Sequence, residues 1–191
     1  FASVIGGRRM SKFKTRAVAI LALCIALNVV GSNIALLLKL PIYLDSIGTV
    51  LAAACFGPVG GMLAGGITAL LVSFTDLYSL FFMPVQLLIG LVAGLLYRRV
   101  KPNTFKNNWW LALAIALPGT LMSTLITVIL FHGITSSGSS MLVQLLIGAG
   151  LNKVAAVFLI QIGTDYLDRF LTVYVVTLVY RAVRYRLPQV N

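Results

Sequence analysis

Apolar positions along this chain run together instead of alternating with polar ones. Hydrophobic stretches fall at about 17–38, 44–56, 59–73, 80–97, 109–131, 141–163 and 168–183, and polar residues are confined to the breaks and to isolated points within. A helix needs about 20 residues to cross the hydrocarbon core of a bilayer. The stretches therefore predict membrane helices, except that the second and third are short and only Gly57-Pro58 parts them. That pair predicts the tight turn of a helical hairpin, with the proline at or near the first position of the second arm. The small residues that follow, Gly60, Gly61, Ala64, Gly65 and Gly66, predict a face on which another helix packs closely.

Composition sharpens the class. Of 191 residues 60% are hydrophobic and only 10% are charged, against about 25% charged in soluble domains, so the chain is expected to be an integral membrane protein. Its net charge of +11 does not form one basic surface of the kind nucleic acid would need. The cations fall in three clusters, Arg8, Arg9, Lys12, Lys14 and Arg16, then Arg98, Arg99, Lys101 and Lys106, then Arg181, Arg184 and Arg186, each beside a hydrophobic run. Such clusters hold loops on the cytoplasmic side.

Seven spans would put the first and last clusters on opposite faces. If 141–163 belongs instead to an outer or re-entrant loop, six spans remain and all three clusters share one side. The predicted fold is thus an all-α membrane protein, a six-transmembrane-helix bundle with N and C termini cytoplasmic. Its spans are expected at about 15–38, 44–56, 59–73, 80–99, 109–131 and 166–185, with a long outer loop over 132–164. In this topology every acidic residue, Asp45, Asp76, Asp165 and Asp168, falls on the outer half. Residues 1–9, ahead of Met10, are expected to be a cloning remnant, and 10–191 a single domain.

Catalytic chemistry has little to work with. The chain has no glutamate, one histidine, and neither the HExxH zinc signature nor the GxxxxGK[ST] phosphate loop. Cys24 and Cys55 lie within apolar runs and are expected to be packing residues. No enzyme activity, metal or cofactor is expected. An ionisable group inside a membrane protein is costly and commonly marks a ligand site or pathway. Asp45, Asp165, Asp168 and Arg169 fit that description, as do the polar Tyr43, Ser46, Gln86, His132, Asn152 and Lys153. Phe74, Tyr78, Phe81 and Phe82 would supply stacking walls. Structural readings stand beside these. Asp45 and Asp76 also suit helix ends, Asp168-Arg169 an interfacial ion pair, His132 a loop end, and Gln86 a bond between helices.

Three stretches carry a resemblance: YLDSIGTVLAAACFGPVGGMLAGGITALL, MPVQLLIGLVAGLLYRR and DYLDRFLTVYVVTLVYRAV. In order, spacing and charge sidedness the chain resembles the substrate-binding S components of energy-coupling factor (ECF) vitamin transporters, from Met10 to its end. The resemblance implies a pocket near the outer face, covered by the loops at 38–45, 73–80 and 132–164. It puts Asp45, Gln86 and Arg169 at polar positions of the matched stretches, Asp165 beside that cation, and Tyr78, Asn152 and Lys153 in the covering loops. It also makes Ala22 and Ala26 the face that docks on a membrane-embedded coupling subunit, two ATPase subunits supplying the energy. The implied substrate is a water-soluble B vitamin or precursor, hydroxymethylpyrimidine- or pyridoxine-like before pantothenate. A self-sufficient secondary transporter or channel is the alternative, although no repeated halves of the kind common in that class are visible.

Overall fold

A computed structural model describes residues 2–100 and 105–183, with side chains from Thr15 onward. The elements are α1 (Ala2–Leu37), α2 (Ile47–Val72), α3 (Tyr78–Phe81), α4 (Met83–Tyr97), α5 (Asn108–Phe131), α6 (Ser139–Gly148) and α7 (Lys153–Val183), with a short 3-10 turn before α5. Among the described residues there is no strand. Three stretches, Thr15–Leu37, Ile47–Val72 and Phe105–Phe131, are helices long and apolar enough to cross a membrane, and Met83–Tyr97 and Ser139–Gly148 are shorter apolar helices.

The helices are turned inside out relative to a soluble protein. On α5 the leucines and isoleucine at 113, 117, 121, 125 and 129 recur every fourth residue and are exposed, whereas Thr120, Ser123, Thr124 and Thr127 are buried. That periodicity presents an apolar stripe to lipid and sends the hydroxyls to neighbouring helices, where small polar side chains bond across the interface.

The α2 stretch is a hairpin, as its sequence predicts. Gly57 has φ 74°, in the left-handed region where only glycine is unstrained, and Pro58 opens the second arm. The fold-back is visible in one side chain. Asn28 of α1, fully buried, donates from Nδ2 to Thr49 (2.9 Å) and to Thr68 (3.1 Å) and accepts the Gly48 N–H at Oδ1 (2.6 Å). In a straight helix Thr49 and Thr68 would stand about 28 Å apart. The second arm runs antiparallel to α4 with backbones nearly touching: a Cβ on Gly61 would lie 2.6 Å from the Gly90 carbonyl oxygen, and one on Gly65 2.7 Å from that of Gln86.

The second half of the chain departs from expectation. The last helix begins at Lys153, not near 166, and α6 occupies part of the stretch expected to be loop. From Thr127–Gln161 (2.9 Å) through Thr120–Asp165 (2.8 Å) to Asn108–Thr177 (3.2 Å), α5 and α7 pair antiparallel along their length. Residues 153–164 are thus part of the bundle. The polar residues at 165, 168 and 169 imitate a helix start in the sequence, but each is satisfied by a partner inside the bundle and so stands mid-helix. α6 packs back on the first turns of α7 through Val143, Ala156 and Val157.

These pairings sort the ends of the bundle. Gly94 packs on Pro58, and Ile20 and Leu21 pack near Phe56. Arg16, Arg98, Arg99, Lys106 and Arg181 therefore gather at the Gly57 end, while Lys39, Asp76 and Lys153 gather at the other. The side chains of Arg8, Arg9, Lys12 and Lys14, and residues Lys101, Arg184 and Arg186, lie outside the described part.

Candidate functional site

The connection between α1 and α2 is the least regular segment near the bundle interior. Lys39 (φ 49°) and Leu44 (φ 51°) both occupy the left-handed region without being glycine, a conformation that persists only where surroundings enforce it. Here the Leu44 N–H donates to Asp168 Oδ1 at 3.1 Å. The tether turns Asp45 toward the bundle, where Gln86 meets it from the second turn of α4.

Gln86 is 5% exposed and donates from Nε2 to Asp45 Oδ2. An ionised carboxylate accepts only, so the amide must present its NH₂ to Asp45 and keep its carbonyl free. Two buried acceptors are left without partners in consequence, Asp45 Oδ1 and Gln86 Oε1. Buried polar groups are seldom orphaned, and two on facing side chains mark a place where donors are wanted.

On the opposite wall, α7 supplies Asp165 and Arg169. Asp165 Oδ2 accepts from Thr120 (2.8 Å) and Ser123 (3.4 Å). Arg169 is already engaged, donating to Asp168 at 2.9 Å and to the hydroxyl of Ser46. Between the walls lies a cavity of about 420 Å³ of interatomic space, part of it open, floored by Ala116 and Gly119 and flanked by Phe82 and Tyr43. Small-molecule sites combine mostly apolar walls with a few placed polar groups. Its charged lining is two carboxylates against one guanidinium whose ion pair lies within the protein.

Burial, the largest influence, pushes the Asp45 carboxyl from 3.8 up to about 6, although Arg169 and Gln86 pull the other way. Burial and then Asp165 push the Tyr43 phenol up to about 12, so it remains a neutral donor.

Of the residues singled out from sequence, Asp45, Gln86, Asp165 and Arg169 line this one cavity. Tyr43 and Phe82 line it too, whereas Tyr78, His132, Asn152 and Lys153 stand apart. Tyr78 packs tilted against Phe131 with ring centroids 4.7 Å apart, in an aromatic cluster of which Phe82 lines the cavity. His132 is exposed and ends α5 in the left-handed conformation, its N–H returning to the Thr127 carbonyl. Asn152 is exposed and caps α7, accepting the Val154 N–H at 2.9 Å. Lys153 is exposed at the first position of that helix. Ala22 and Ala26 are exposed on one side of α1. Thr120 and Ser123, which bond Asp165, carry a signal in the sequence as well: hydroxyls at 120, 123, 124 and 127 repeat with helical period inside an apolar run. Among the described residues no three His, Cys, Asp or Glu side chains converge as metal ligands would.

Neither a curated protein nor a solved structure matches the chain. A family model does, described as ECF transporter, substrate-specific component, over residues 16–180. That stretch takes in both arms of the hairpin, both walls of the cavity and every polar group that faces it. By this match, the chain belongs to the substrate-specific components of ECF transporters.

Proposed function

We propose that this chain captures a small water-soluble B vitamin or vitamin precursor, hydroxymethylpyrimidine- or pyridoxine-like before pantothenate, in the cavity between Asp45, Gln86, Asp165 and Arg169. It then hands the solute to a membrane-embedded coupling subunit and two ATPase subunits, of the bacterial cell membrane, that drive uptake. The observation that carries the reading is the pair of unfilled acceptors, Asp45 Oδ1 and Gln86 Oε1. They ask for N–H or O–H donors on a ring edge, which Phe82 would cover. A carboxylate-bearing solute would need a free cation, and Arg169 is already bound to Asp168 and Ser46.

The reading includes the topology. Segments 15–37, 47–56, 58–72, 83–97, 108–131 and 153–183 form six spans, with both termini on the cytoplasmic side by the cations of the Gly57 end. The cavity then opens outward. Ala22 and Ala26, exposed on α1, are the face offered to the coupling subunit, where small residues allow close helix approach.

A binding screen of the purified protein in detergent, without ATP, against B vitamins and their precursors tests the assignment. Submicromolar binding of an aminopyrimidine or pyridoxine with much weaker binding of pantothenate is expected. Failure to bind any water-soluble vitamin, or ion-driven transport into liposomes by this chain alone, would refute it.

Acidity gives a second expectation. Asp45 has its folded-state pKa raised to about 6, so it is anionic at pH 7–8 and largely protonated at pH 5. A bound cationic or donor ligand favours the anion, so affinity is full above about pH 6 and declines below it, by up to roughly tenfold per pH unit. The same shift acts oppositely on the empty protein, whose stability gains as Asp45 protonates. Isothermal titration between pH 5 and 8 with a ligand of fixed charge reads the decline, which Asp45→Asn should reduce, Asp165 remaining in the same cavity.

A further inference from the structure

A second cavity, about 280 Å³ of interatomic space, lies beside the first among the connecting loops. Ser32, Asp76, Ser136 and Ser137 provide its polar lining, and Ala35 and Leu36 of α1 an apolar wall. Tyr43 lines both cavities. Ser137 and Ser139 lie near its hydroxyl, which places the ring beside the start of α6 and the segment before it. One aromatic side chain thus stands between two chambers that each contain a carboxylate.

Asp76 is only partly occupied. Ser136 donates to its Oδ2 at 2.6 Å and the Tyr78 N–H to its Oδ1 at 3.3 Å, whereas a carboxylate has about four acceptor sites. Among the described residues no lysine, arginine or histidine lines this chamber, and the formal charge they give it is negative. Its chemistry therefore repeats that of the inner cavity, an acid among hydroxyls against an apolar wall.

We propose that this chamber is a second binding site, an antechamber where Asp76 holds a small cationic or N–H-bearing solute before it passes Tyr43 into the inner cavity. The solute's identity as a vitamin rests on the function proposed above; the antechamber and its partition rest on the two cavities alone. For passage, the Tyr43 hydroxyl leaves Ser137 and Ser139 and the ring swings from between the chambers.

The test needs no vitamin, so its failure is distinct from a failure of that function. A reporter thiol is placed in the inner cavity by Gly119→Cys, where a Cβ meets only ordinary contacts, the nearest being Ile89 at 3.5 Å. Cys24→Ala and Cys55→Ala remove the native thiols. Modification rates are then measured with a cationic reagent, aminoethyl methanethiosulfonate, and a neutral one, methyl methanethiosulfonate. Asp76→Asn is expected to slow the cation roughly fivefold and the neutral reagent less than about twofold, because only the cation is concentrated by the carboxylate. Tyr43→Ala is expected to speed both, and Tyr43→Phe, which keeps the ring and safeguards folding, to speed both by a smaller factor. Rates indifferent to both Tyr43 variants, or an Asp76→Asn effect equal for the two reagents or absent from both, would overturn the proposal.

Discussion

Asp45→Ala is expected to weaken binding of a hydroxymethylpyrimidine-like solute by about 2–5 kcal/mol, which is roughly thirtyfold or more, the usual cost of truncating one partner of a buried charged hydrogen bond. The same substitution is expected to leave the empty protein as stable as before, or more so. The opposite signs have one cause. Asp45 keeps one oxygen without a partner, and burial raises its pKa to about 6, so its charge is a burden to the empty fold. That burden is relieved only when a ligand supplies the missing donor. Paired calorimetric and melting measurements on Asp45→Ala decide the matter. Affinity within about threefold of the parent, less than 1 kcal/mol, would make Asp45 a structural residue and remove it from the site.

Gly90→Ala is expected to be strongly disruptive for a change of one methyl group. A Cβ there would lie 2.6 Å from the Met62 nitrogen and closer still to the Gly61 backbone, with no flexible side chain to move aside. The hairpin's second arm and α4 must separate to admit it, at a cost of about 3 kcal/mol or more, the upper range for overpacking. Gly163→Ala is the matched control. Nothing lies within 4 Å of a Cβ on Gly163, which sits inside α7, so alanine should stabilise by about 0.5–1 kcal/mol through helix propensity. Unfolding midpoints that moved alike in the two variants would refute the close-packing account.

These examples show what the sequence makes legible. The hairpin is written locally, in Gly57-Pro58 and the small residues after it, because a left-handed turn and a close backbone approach each restrict residue type. The partnership of Asp45 and Gln86 is not, since 41 residues separate them and only the folded antiparallel packing brings them together. The start of α7 misleads for a physical reason. Charges in an apolar run suggest a helix end at water, but Asp165, Asp168 and Arg169 are satisfied by Thr120, Leu44 and Ser46 and stand in the interior. Lys153 and Arg169 look equivalent as cations in the sequence. One proves solvent-facing at a helix start, the other committed to an aspartate and a serine. Asn152 carried a readable capping signal, an asparagine just ahead of an apolar helix, and it fills that role.

The Asn28 amide has a mechanical consequence. By gripping both hairpin arms it joins α1 to α2, and the glycine contacts join α2 to α4, so the first half of the chain behaves as one shell. The α5–α7 pairing makes a second. Asp45 and Gln86 belong to the first shell, Asp165 and Arg169 to the second, and the cavity lies between them, above the core that α2, α4, α5 and α7 share. Any guest long enough to touch Asp45 and Asp165 together adds one more bridge beside the Leu44–Asp168 and Ser46–Arg169 bonds that already tie the two shells, so filling the site stiffens the body at its least filled point.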